Sequence, residues 1–507
     1  MKKRKVGFLF NIITICLAVV AIAVGVYSLQ KTALNISGSL GFTAHNVNAR
    51  IDAYMYGYAT ENNGVPLTES EKVRLTDTNG LLIHDSLTNY SLNLGATNGS
   101  GSATRYFSNL GASGKMEDIV IEITVSNTSG GTSSAKNILA SVDFANCIPS
   151  STLTDKIRID CDRSSAVLET TNGKTQATFV FKISLLPNSN GTYTTNSALT
   201  SPSNNVSLKM NLEETTYTQS QVRTDAIAIK KFTDTEISTI NTGLSITDNT
   251  SYANLYPYYV EMGNLNNDRL KWLIVGTKGP SDIDEVTALV DADKTALSQG
   301  LLLNKTYVML SEKVLYSESK TNVGVPFQNN YTNSSTTTPA YKNANSDYSA
   351  YDYATSTMRS YLNGNTITYN KTIYSFFETY NVDTDPLYAK IKGRSLSSLY
   401  NNIGEIDSSA KIWSSADSVT DDNLQSTTKD KLWLLSKSEI ETLLSVANNR
   451  KTSKILGSTS SSTAEWFSRS PSNFNATFIN VNYVYDTLLV STNVAYNTAG
   501  TRPAFLF

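Results

Sequence analysis

The sequence predicts a multidomain chain: an N-terminal membrane helix, then an all-β sandwich or jelly roll, then an α+β domain. Three observations predict it. Lys2, Lys3, Arg4 and Lys5 precede a run, Val6 to Gln30, that carries no charge. Hydrophobic residues alternate with period two through much of residues 31 to 215, the pattern of half-buried strands. Beyond residue 250, buried-looking strands mix with isolated helical patterns.

The leader comes first. A basic cluster stays on the cytoplasmic side of a bilayer, and an uncharged run of this length is enough to cross a core of about 30 Å as a helix. Residues 1–30 therefore read as a signal peptide or a signal anchor, with the bulk of the chain extracytoplasmic. A cut after the small-residue pair Ala21 and Ala23 would release the chain, whereas an uncleaved leader would hold it to the membrane through residues 6–30.

Composition narrows the range of functions. Hydrophobic residues make up 40% of the 507, enough for ordinary cores, and charged residues only 17%. Setting aside the four N-terminal cations leaves 38 Lys and Arg against 44 Asp and Glu, about six net negative charges. This disfavours nucleic acid, whose binding needs clustered cations on phosphates. Of three cysteines, Cys16 lies in the apolar run, and Cys147 and Cys161 form a pair that could bridge if their Cα atoms come within about 7 Å. Their spacing does not fit a compact zinc site.

Residues 31–215 read as the β-sandwich domain. Ile119, Ile121, Ile123 and Val125 alternate with Val120, Glu122, Thr124 and Ser126. Similar signals occur at 38–43, 48–56, 138–144, 179–185 and 206–212. Residues 216–250 read as a linker with a short helix, and 251–507 as the α+β domain. There, 271–276 and 306–310 are strand candidates, and 356–362 is a short helix. The segment 436–450 is the strongest helix candidate, because Ser436 stands three residues before Glu439, the spacing of a reciprocal N-terminal cap. Two polar tracts, 328–350 and 457–463, read as surface loops.

Two resemblances add expectations. The stretch LNISGSLGFTAHNVNARI, Leu34 to Ile51, follows the export segment and resembles the start of TasA and camelysin-like surface proteins of Gram-positive bacteria. That resemblance implies a jelly-roll sandwich, a biofilm-matrix or cell-surface setting, and fibres built by donating an N-terminal strand, here the residues before Ser37. The second resemblance rests on KWLIVG at Lys271, YVMLSEKVL at Tyr307, STMRSYLNG at Ser356, DKLWLLSKSEIETLL at Asp430, WFSRSP at Trp466 and TRPAFLF at Thr501. Together these resemble an uncharacterised domain of secreted Gram-positive proteins, itself similar to the C-type-lectin-like fold of formylglycine-generating enzymes. It implies that Tyr258–Met262 pairs with Pro503–Phe507.

The candidate binding residues are Trp466, Arg469 and Arg502, because tryptophan offers a stacking face and arginine a planar fork for carboxylates. Set against this is a structural role, with the arginines paired to Glu312 or Asp430 and Trp466 filling a core. Tyr341, Tyr348, Tyr351 and Tyr353 could form an adhesive loop.

No catalytic residues, metal site or cofactor are assigned. From residue 162 onward there is no histidine and no cysteine, which removes Ser-His-Asp and Cys-His catalysis and His-ligated zinc from the second half. His45 and His84 lie in no metal motif. The S-x-x-K matches Ser133/Lys136, Ser317/Lys320 and Ser426/Lys429 are expected by chance in a Ser-rich chain. The pairs Asp291/Asp293 and Asp383/Asp385 read as turns before calcium sites. The leading expectation is a non-catalytic extracytoplasmic surface protein that binds a glycan, a matrix component or a host protein. A structural fibre subunit that self-assembles through its first domain, and a carboxylate or Ser-Lys hydrolase, are the alternatives.

Overall fold

The computed structural model describes residues 31–507 apart from 46, 57–60, 63–64, 67–72, 76–81, 88–89, 95–102, 110–115, 131–134, 171–174, 189–191, 194–195, 200, 202–203, 266–267, 281–285, 316–324, 327–356, 370–371, 394–429, 454–463, 465, 476–477, 486–487 and 495–497. The chain divides into two compact units, Met1–Ala228 with Gln299–Leu301, and Ile229–Ser298 with Leu302–Phe507.

The first unit is built on strands, with short elements around them. Its main strands are β1 (Lys31–Ile36), β2 (Gly38–Ala44), β3 (Val47–Tyr56), β4 (Ala103–Asn109), β5 (Ile119–Asn127), β6 (Asn137–Val142), β7 (Gln176–Leu185) and β8 (Val206–Thr215), with a one-turn helix α1 (Asn196–Leu199) before the last. A further strand, Ile157–Cys161, lies at the edge of an antiparallel sheet and is followed by β7, β5, β3 and Val73–Leu75. A second sheet runs Ser165–Leu168, β6, β8, β2 and Tyr90–Asn93, and it is mixed, because β8 and β2 are parallel. A third, three-stranded sheet pairs β1 with β4 and β4 with Met116–Glu117.

Alternation fixes which side of each strand is buried. In β5, Ile119, Ile121, Ile123 and Val125 are fully buried while Val120, Glu122, Thr124 and Ser126 are half-buried. Strands β2 and β8 supply Leu40, Phe42, Leu208, Met210 and Leu212 to the same core, and β1 adds Leu34 and Ile36. Burying each such side chain stabilises the fold by roughly 1.5–3 kcal/mol.

Between β1 and β2 the chain passes from one sheet to another within two residues. Gly38 makes this turn at φ +132°, and a Cβ there would stand 2.0 Å from the Val206 carbonyl oxygen. Only glycine tolerates both the dihedral and the approach.

In the second unit, α2 (Asp234–Gly243) and α3 (Tyr252–Leu255) precede β9 (Tyr258–Leu265) and β10 (Asp268–Lys278), and α4 (Asp291–Ser298) leads to β11 (Thr306–Ser311). Then come α5 (Thr357–Leu362), α6 (Pro386–Lys390), α7 (Lys437–Leu443), the meander β12 (Trp466–Asn475), β13 (Phe478–Tyr485) and β14 (Leu488–Val494), and finally β15 (Pro503–Leu506). The principal sheet runs Lys230–Lys231, β9, β10, β11, β15 and Trp433–Leu434, with Val286–Ala288 also paired to β10.

Several expectations from the sequence do not hold. The fold class, a membrane helix followed by a sandwich or jelly roll and an α+β lectin-like domain, is overturned. Among the described residues strand dominates over helix, in antiparallel and mixed sheets. Among the described residues no helix is long and apolar enough to cross a membrane. The segment 1–30, on which the membrane helix was expected, lies outside the described residues. The expected pairing of Tyr258–Met262 with Pro503–Phe507 does not form: β9 pairs with β10, while β15 pairs with β11 and with Trp433–Leu434.

The long helix expected over 436–450 is only α7, seven residues, followed by a 3-10 turn at Ala447–Arg450. Its reciprocal cap between Ser436 and Glu439 is present. After the cap residue Leu444 the β-branched Val446 is extended at φ −86°, ψ 131°, so helical spacing beyond Leu443 describes no helix. The helix of the linker is α2, closed by a second reciprocal cap between Thr233 and Glu236.

Candidate functional site

Two places in the chain collect the residues that bear on function. One is the buried surroundings of Arg502 in the second unit. The other is the β1 strand in the first.

Arg502 immediately precedes β15, and Trp466 opens β12; a bridge between Trp466 and Gly500 brings the two backbones together. Both side chains are fully buried. The Arg502 guanidinium carbon lies 5.3 Å from the Trp466 ring centroid and 5.8 Å from that of Tyr252 on α3. Its Nε donates to the Ser311 carbonyl at 2.9 Å, Nη2 to the Glu312 carbonyl at 3.4 Å and Nη1 to the Arg450 carbonyl at 3.5 Å. The Glu312 carboxylate accepts from the Tyr252 hydroxyl at 2.7 Å, and Thr452 Oγ1 donates to the Glu312 carbonyl at 2.6 Å.

Electrostatics follow from burial. Loss of water pushes the Arg502 pKa down to about 10, while Tyr252, Glu312 and Tyr256 act in the opposite direction. Burial, then the Glu312 charge, pushes the Tyr252 hydroxyl well above its usual 10. The arrangement ties β11, α3, β12 and the segment before β15 together through a cation held by carbonyls and rings. An exposed Trp–Arg surface for a sugar is not what these two side chains form.

The carboxylates expected to pair with the arginines behave differently from one another. Arg502 reaches Glu312 through its backbone oxygen. Asp430 instead takes a two-pronged ion pair from Arg359 on α5, at 2.8 Å for Nε–Oδ2 and 2.8 Å for Nη2–Oδ1. Burial pushes the Asp430 carboxyl up, and the Arg359 hydrogen bonds pull it back part of the way. Sequence reasoning misses Arg359 and Tyr252, because their partners lie 71 and 60 residues away and no local spacing marks them. Arg469 lies in β12, but its side chain is outside the described residues.

Elsewhere, Asp293 is fully buried, held by Lys305 Nζ at 2.9 Å and the Tyr307 hydroxyl at 3.1 Å. Asp385 caps α6 and pairs with Arg269 at 2.7 Å. These contacts explain both aspartates structurally. Among the described residues, no group of three or more His, Cys, Asp or Glu side chains is placed to hold a metal ion. The tyrosines at 341, 348, 351 and 353, and the Ser-x-x-Lys members Ser133, Ser317, Lys320, Ser426 and Lys429, lie outside the described residues.

Cys147 and Cys161 are both buried thiols in the core of the first unit. Cys147 Sγ accepts from the Lys209 amide at 3.3 Å, and Cys161 Sγ lies 3.7 Å from Asp162 Oδ1. Burial, with the Asp162 charge beside it, pushes the Cys161 thiol well above its usual 9.0, which leaves it protonated and slow as a nucleophile.

The β1 site has a different character. β1 is the edge strand of its sheet and runs antiparallel to β4 over six pairs, from Lys31↔Ser108 to Ile36↔Ala103. Leu34 and Ile36 are fully buried.

A family model described as a domain of unknown function, DUF6273, matches residues 301–507. No curated protein matches the chain.

Proposed function

We propose that the protein works outside the cytoplasm as a non-catalytic surface component, and that its first unit associates with further copies of the chain by exchanging β1. Export is supported by the sequence of the leader, in which four cations precede an uncharged run through Gln30. Association is supported by one observation above all: β1 is a terminal edge strand that supplies two fully buried side chains to the core. An edge strand that can leave exposes a row of unpaired backbone groups and an apolar slot, and a second copy offers the same strand to fill it. The exchange conserves every contact, so its cost is confined to the join between copies. The resemblance of Leu34–Ile51 to fibre-forming TasA and camelysin-like proteins points the same way.

Recognition of a glycan, a matrix component or a host protein has less support, because Trp466 and Arg502 are interior. The test is electron microscopy of the full-length chain recovered from the cell surface. Fibres or a ladder of oligomers are expected, and persistent monomers at every concentration tested would reject self-association.

A further inference from the structure

We infer that α1 and Asn204 form a clamp that retains β1 in its own unit and so sets how readily the strand can be exchanged. This rests on the proposal that β1 exchange mediates association. Asn204 is fully buried, which is unusual for an asparagine, and its polar groups are committed in three directions. Its Nδ2 donates to the Leu199 and Ala198 carbonyls at 2.7 and 3.2 Å, satisfying the C-terminal end of α1. Its Oδ1 accepts from Thr152 Oγ1 at 2.9 Å. Its backbone carbonyl accepts from Ser37 Oγ, at the residue that joins β1 to β2.

The neighbouring contacts complete the arrangement. The Val206 amide donates to the Ser37 carbonyl at 2.9 Å, and Gly38 turns against Val206 with no room for a side chain. On the other side α1 packs on β1, and Leu199, Leu34 and Ile36 are all fully buried in one core. One residue therefore fixes both the helix that covers β1 and the point at which β1 would have to swing out. A buried asparagine with four partners has a single low-energy placement, so release of β1 requires α1 and Ser37 to give way together. Such an opening costs less than global unfolding and reports in the exchange of the β1 amides.

The experiment is hydrogen exchange on the full-length chain in mild detergent, comparing the parent with Asn204→Ala and Ser37→Ala and reading oligomer formation in the same samples. Loss of the single Ser37 hydroxyl bond, or of the three side-chain bonds of Asn204, raises exchange in peptides covering residues 31–36 by about five- to tenfold or more, with β5 and β7 unchanged. If Asn204→Ala does not fold, Ser37→Ala, which removes only the hydroxyl bond, decides. Unchanged exchange over 31–36 overturns the clamp, and so does an equal rise in β5 and β7. Faster exchange with faster oligomer formation supports both the clamp and the association. Faster exchange with no oligomers supports the clamp as a retaining device and rejects the association.

Discussion

Arg502 shows how a residue that reads as a ligand-binding fork becomes part of a core. Its guanidinium has carbonyls on three nitrogens and rings at 5.3 and 5.8 Å, so truncation leaves buried acceptors unmatched and a void beside Trp466. Arg502→Ala should destabilise the second unit by about 3 kcal/mol or more, and Trp466→Ala by about 3–5 kcal/mol. Denaturant titration measures both, and a loss under about 1 kcal/mol for either would mean that the residue is not interior. Buried titrating groups govern alkaline behaviour in both units. Tyr252 and Tyr259 hold their protons above pH 10 because they are buried, and the Cys161 thiol does so above 9.0. The folded state therefore binds more of these protons than the unfolded chain, and their stabilising effect is complete below pH 9 and lost as pH rises. Arg502 has the opposite sign between about 10 and 12.5, since the folded state sheds that proton first. In the second unit the five raised tyrosines, Tyr252, Tyr256, Tyr258, Tyr259 and Tyr388, outweigh the two lowered arginines, Arg502 and Arg450, so its denaturation midpoint should fall as pH rises above 10. Read by difference against Tyr252→Phe and Tyr259→Phe, the phenolate absorbance of these two residues should appear only with unfolding. A flat midpoint, or a phenolate at either of these two positions in the folded protein, would contradict this assignment.

At the level of elements, the sequence is most legible where a local pattern decides the outcome. The strict alternation of 119–125 corresponds to β5, and the signals at 38–43, 48–56, 179–185 and 206–212 fall within β2, β3, β7 and β8. Both reciprocal helix caps carry the same three-residue spacing, Ser436 with Glu439 and Thr233 with Glu236, although only the first opens a strongly apolar helical pattern. Pairing is not legible in this way. β15 is a run of PAFL whose sequence says nothing about whether β9 or β11 will be its neighbour, and long-range register decides for β11. The parallel contact of β8 with β2, 167 residues apart across the Ser37–Asn204 bond, has no local signature either. β13 carries a legible period-two signal, since Ile479, Val481, Tyr483 and Tyr485 alternate with Asn480, Asn482 and Val484, whereas Ser, Asn and Thr interrupt the apolar positions of β12 and β14, as in LLVSTNV. The helix at 436–450 is shorter than its pattern, because the helical spacing of Ile440, Leu443, Leu444 and Ala447 continues past the point where Leu444 leaves helical geometry.

For the whole molecule, chemistry that depends on histidine or cysteine is absent from the second half by composition, and the pair Trp466 and Arg502 is structural. The proposed partner contact lies on the first strand, which follows the uncharged run Val6 to Gln30 and ends at a glycine turn. On this proposal the chain is a component that associates with itself outside the cytoplasm, with β1 as the exchanged part. The most direct measurement mixes two variants in a Cys16→Ser background, one carrying Ala33→Cys and the other Tyr106→Cys, since these positions are register partners across β1 and β4. Directly opposed residues of neighbouring strands lie about 4.5–5.5 Å apart at Cα, within reach of a disulfide. Under mild oxidation the mixture should yield an interchain covalent dimer that neither variant gives alone. No interchain product, while a single chain carrying both substitutions closes its own bond, would contradict the exchange of β1.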